Sequence, residues 1–133
     1  MKIASLIGRT LLGLMLLVFG LNGFLNSMPT PPMPTDLAGQ FAGALVQSHY
    51  MSVIFALDLI AGILLLLNRY VPLGLTLIAP VIVNIVFFHA FMAPRGLPIA
   101  FFMCALWILS VIKVWPAFAA LLEQRVKTDA KLV

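Results

Sequence analysis

The chain has 133 residues, of which 63% are hydrophobic and only 9% charged, with a formal net charge of +4. Soluble domains carry about a quarter charged residues, and one this small could not hide so much apolar surface, so the solvent for most of the chain is lipid. The positive charge is scattered rather than clustered, which excludes nucleic acid as a partner, and the lone Cys104 excludes an internal disulfide, a CxxC redox centre and a thiolate metal site.

The first element, MKIASLIGRTLLGLMLLVFGLNG, begins like a secretory signal, with Lys2 ahead of an apolar run. Arg9 interrupts that run and no small-x-small cleavage site follows, so a retained transmembrane helix over residues 7–25 is expected. The connection NSMPTPPMPTD carries Pro29, Pro31, Pro32 and Pro34, which exclude a regular helix and favour a stiff extended segment. In DLAGQFAGALVQSHY, Asp36 can cap a short helix whose apolar positions Leu37, Phe41, Ala44 and Leu45 fall at helical spacing. It is too short to span and is expected on, or dipping into, the outer face.

Three further apolar runs, residues 50–67, 71–92 and 97–114, each approach the roughly 20 residues needed to cross a bilayer. NRYVP and APRGLP allow only tight turns between them, so successive helices are antiparallel. The expected fold is all-α: an integral membrane four-helix bundle forming one domain over residues 1–133. PAFAALLEQRVKTDAKLV reads as an amphipathic helix over about residues 116–127 on the inner surface, with a frayed tail.

Flanking basic residues set the orientation. With both termini cytoplasmic, Lys2, Arg9, Arg69, Arg125, Lys127 and Lys131 lie inside, Lys113 is near that boundary, and only Arg95 lies outside. Tyr70 and Trp115 then fall at the inner headgroup level and Tyr50 at the outer one.

Asp58 has no charged neighbour within ten positions on either side, and an ionised carboxylate at mid-membrane must pair, neutralise or face a polar cavity. Arg9 is the best candidate partner, because the depths of the two spans allow the groups to meet. Gly13 and Gly20 share the Arg9 side of the first span, and Ala61 and Gly62 share the Asp58 side of the second, as contacting faces would. A buried ion pair fixing helix register is the leading reading of this pair. A proton- or substrate-handling Asp58, and a neutral acid bonded to backbone or water, stand beside it.

Towards the outer side lie Asn22, Asn26, His49, Asn84 and His89, with Pro80 one turn before Asn84 and expected to kink the third span. At about 100° per residue Asn84 and His89 diverge by about 140°, Asn22 and Asn26 oppose the Arg9 face, and His49 opposes Asp58. Convergence on one metal is therefore not expected. Interhelical hydrogen bonding is the plain reading of these residues. The other is a pocket for a small amphipathic ligand such as a quinone, with His49 or His89 bonding a carbonyl oxygen and Phe87, Phe88, Phe91, Phe101 and Phe102 as walls.

Three stretches, GRTLLGLMLLVFGLNGFL, LDLIAGILLLLNRYVPLG and VIVNIVFFHAFMAPRG, together resemble the DoxX family of small bacterial membrane proteins over most of residues 5–115. The resemblance implies an acidic residue at the Asp58 position and an arginine matching Arg9. The lysine often found after the first-span glycine is absent, since this chain has GLNGF there. It further implies the bacterial cytoplasmic membrane and a link to quinone-dependent oxidoreductases or redox-defence proteins as partners. A non-catalytic subunit or scaffold of a membrane redox complex is thus the leading functional expectation, with quinone as candidate ligand. The alternative is a small proton-coupled transporter working through Asp58 in a homodimer, against which a pre-formed Arg9 pair would count.

Overall fold

The computed structural model describes residues 2–29 and 32–124, and within them every regular element is helical. Helix α1 spans Lys2–Leu25, α2 Leu37–Gln47, α3 Tyr50–Leu66, α4 Val71–Phe91, α5 Leu97–Lys113 and α6 Trp115–Ala119. Short 3-10 turns at Pro94–Gly96 and Ala120–Leu122 complete the chain. α1, α4 and the segment Pro94–Lys113 are long and apolar enough to cross a bilayer. At about 1.5 Å per residue, α3 alone falls short of the hydrocarbon thickness; it qualifies only jointly with α2, across an 81° bend. Among the described residues that makes three candidate spans, or four if the bent pair is one.

α1 packs against α3 and α5, and α4 packs against the same two, closing a helical ring around Leu12, Leu16, Ala61, Leu65, Leu75 and Ile78. In lipid the hydrophobic effect does not drive helices together, so close backbone approach at small residues matters more. A methyl on Gly62 would lie 2.9 Å from the Leu17 amide nitrogen and 3.0 Å from the Gly13 carbonyl oxygen. Gly13 meets Leu65 and Leu66, and Gly20 meets Phe55 and Leu59. The two helices therefore run antiparallel, with Gly20 near the level of Asp58. Gly8 plays the same part against Leu106 and Leu109 of α5.

The turns are built from unusual backbone. Asn26, His49, Asn68 and Tyr70 all adopt positive φ, the left-handed region in which asparagine is tolerated best. Asn26 closes α1, its amide bonded to the Asn22 carbonyl at 2.8 Å, while Oδ1 of Asn22 accepts from the Met28 amide at 2.7 Å. α4 continues unbroken through Pro80.

The two short segments outside the long helices differ in outcome. α2 forms and Asp36 caps it, accepting from the Gly39 amide at 3.1 Å, and Phe41 and Leu45 of its apolar stripe line the cavity described below. Leu37 is 65% exposed and Phe41 and Ala44 are exposed, while Ala38, Gly39 and Gly43 are buried. A methyl on Gly39 would collide with the Pro34 carbonyl, and one on Gly43 would touch the Met33 sulfur. The proline segment folds back onto the small face of α2. Against expectation, the stretch after α5 is not one long helix. Val114 leaves helical geometry, Pro116 starts a new short helix, and the backbone is extended by Glu123. Arg125, Lys127 and Lys131 lie outside the described residues.

Candidate functional site

Asp58 is the ninth of the seventeen residues of α3 and is 7% exposed. Its Oδ1 is buried and has no hydrogen-bond partner among the described residues. The expected pair with Arg9 does not form. Arg9, 9% exposed, instead donates from Nη1 to the Leu65 carbonyl at 2.9 Å. The α1–α3 register explains why. Asp58 sits near the level of Gly20, eleven residues beyond Arg9, or about 16 Å along the axis. A guanidinium cannot bridge that. What lies within its reach is the last turn of α3, at the negative end of the helix dipole, where the Leu65 carbonyl otherwise accepts only a long 3.3 Å bond from the Asn68 amide. Arg9 is a C-terminal cap for α3.

Because the two groups act separately, their mutational effects are expected to add. Arg9→Gln loses a charge-assisted bond to a buried carbonyl, about 1.5–3 kcal/mol. Combined with Asp58→Asn, the total change is expected to equal the sum of the two single changes, whatever their signs, within about 0.5 kcal/mol. Reversible unfolding of the four proteins in detergent checks this, and a double variant much less damaged than that sum would restore the ion pair.

Asp58 faces a cavity of about 750 Å³ among α1, α2, α3, α4 and the start of α5. Its wall is mostly apolar and aromatic, with Phe19, Phe41, Phe55, Phe87, Phe88 and Phe91 contributing rings. Phe41 of α2 lies 5.9 Å from Phe88 of α4 between ring centres, which ties the short helix across one side. The polar side chains on the wall are Tyr50, Asp58, Asn84 and His89. A volume of this size suits a drug-sized or cofactor-sized molecule held by apolar contact and oriented by a few polar groups.

Of the five outer-half polar residues, the structure brings only Asn84 and His89 to the cavity. Their different directions along α4 matter little, because an elongated cavity needs no single point of convergence. Asn22 and Asn26 finish α1, and His49 is exposed at the α2–α3 bend without capping it. Phe101 and Phe102 are exposed and do not line the cavity. The sequence reading missed the joining of Asp58 and Tyr50 to Asn84 and His89, since that depends on how α3 packs on α4. The aromatic run FFHAF was the available signal.

Asn84 is held by its own helix and His89 by the turn that follows it. Nδ2 of Asn84 donates to the Pro80 carbonyl at 2.9 Å. Nδ1 of His89 lies 3.0 Å from the Ala93 carbonyl, and a methyl on Gly96 would fall inside the His89 ring. Gly96 is thus the space in which the imidazole lies. Among the described residues, no group of three or more His, Cys, Asp or Glu side chains is placed to hold a metal ion. Cys104 is half-buried and packs on the core.

No family model, no curated protein and no solved structure matches this chain.

Proposed function

We propose that the chain is a multi-pass four-helix protein of the bacterial cytoplasmic membrane, both termini cytoplasmic, that binds an amphipathic quinone-type ligand as a non-catalytic subunit of a membrane redox complex. The observation that carries this reading is the aromatic-walled cavity with Asp58 and an anchored histidine among its lining side chains. Flat apolar rings suit a flat apolar headgroup, and a few polar side chains suffice to orient it. The resemblance to the DoxX family supports the quinone link and an oxidoreductase partner.

Mass spectrometry of the tagged protein, purified from its native membrane in mild detergent, tests this. The expected result is quinone or quinol in near-equal amount to protein, together with an oxidoreductase. Protein carrying phospholipid alone, with no such partner, would overturn the reading.

A second reading, proton-coupled export of a lipophilic cation by a homodimer, is favoured by one observation. Asp58 is not neutralised by Arg9, so the pre-formed pair no longer argues against it. On that reading, proteoliposomes exchange protons for a lipophilic cation, and Asp58→Asn stops the exchange. Wild-type vesicles without proton-linked uptake would remove it.

A further inference from the structure

Hydrogen-bond accounting on the cavity wall goes beyond the quinone-type reading and rests on it. The Ala93 carbonyl can only accept, so Nδ1 of His89, 3.0 Å away, must carry a hydrogen. Neutral His89 therefore has only Nε2 left to offer, and it is an acceptor. The tautomer is set by the turn after α4, where Gly96 leaves room for the ring. Asp58 accepts through both oxygens when ionised and through one when protonated. Asn84 has one amide hydrogen on the Pro80 carbonyl and keeps one donor and its carbonyl oxygen. Tyr50, exposed, has a hydroxyl that can turn either way.

A quinone carbonyl and a hydroquinone hydroxyl meet this wall differently. A carbonyl only accepts. Against neutral His89 it places lone pair against lone pair, and against an ionised Asp58 it does the same. A hydroxyl donates to neutral His89 and to ionised Asp58, and it accepts from either group once that group is protonated. The hydroquinone is thus matched in every protonation state of the two residues, and the quinone only in some.

We infer that this cavity takes a hydroxyl-bearing headgroup, and that it binds the hydroquinone form of its ligand in preference to the quinone form. A bond from His89 to a quinone carbonyl would need a donor, and the bond to Ala93 leaves neutral His89 without one.

The test uses the full chain in lipid nanodiscs with three probes: a decyl-substituted hydroquinone kept reduced under argon, its quinone, and its dimethyl ether. Bound ligand is measured after rapid gel filtration. The hydroquinone is expected to bind about tenfold more tightly than the quinone, the worth of about one net hydrogen bond, with the ether as weak as the quinone. By linkage, a tenfold preference makes the bound couple about 30 mV more oxidising than the free one. Two variants assign the effect. Asp58→Asn adds an amide donor and should strengthen the quinone relative to the hydroquinone. Gly96→Ala pushes the His89 ring off the Ala93 carbonyl, releases the tautomer, and should shrink the preference.

Quinone binding as tightly as hydroquinone overturns this inference and leaves the quinone-type site standing. Binding of neither takes down the site itself. A hydroquinone preference unchanged in both variants overturns its assignment to Asp58 and His89.

Discussion

Gly62→Leu is expected to separate α1 from α3 and to cost about 3 kcal/mol or more, the largest single loss in the chain. A methyl there already approaches two backbone atoms of α1, the Leu17 nitrogen at 2.9 Å and the Gly13 oxygen at 3.0 Å. Backbone within a helix cannot swing aside as a side-chain tip can, so the helices must move apart. Moving apart also pulls Gly13 off Leu66 and Gly20 off Leu59, since all three contacts belong to one seam. Gly62→Ala should show a smaller loss of the same kind. Thermal unfolding in detergent, followed by helical circular dichroism, measures both. A Gly62→Leu protein as stable as the parent would mean that α1 and α3 are not packed as described.

Asp58→Leu should do the opposite to stability. In the ligand-free protein the carboxylate has a buried oxygen without a partner, a debt of about 1–3 kcal/mol that leucine does not carry. The variant is therefore expected to unfold at the same temperature as the parent or higher. Ligand affinity should fall by tenfold or more, because an oriented polar contact in an apolar pocket is lost. Stability and binding thus move in opposite directions at this position. That pattern separates a residue kept for its ligand from one kept for its fold, and it is read by comparing melting curves with and without added ligand. A strongly destabilised Asp58→Leu protein would show that the carboxylate holds the helices together after all.

The positions of the long helices were legible because apolar runs of spanning length and Pro- or Asn-bearing turns need no tertiary information. The Asp36 cap and the facing glycines of α1 and α3 were legible for a similar reason: each follows from spacing within one helix. Contacts between helices were harder. The Arg9–Asp58 pairing failed on axial register, a quantity that depends on how Gly13, Gly20 and Gly62 interlock and not on either residue's own neighbourhood. The cavity required five helices to be placed at once, so its polar residues appeared in the sequence as unrelated singletons.

Several cavity-lining side chains are themselves open to the surroundings: Val53, Phe87 and Phe91 are all large, apolar and exposed. In the membrane setting proposed for this chain, side chains of that kind border hydrocarbon, and the proposed ligand would enter from the bilayer. A molecule entering that way travels sideways through the membrane, and its occupancy follows its mole fraction among the lipids, whatever its concentration in water. A long-tailed compound would then appear potent and a short-tailed one feeble even with identical headgroup contacts. Dose-response curves for this protein should collapse onto one line only when plotted against ligand per lipid.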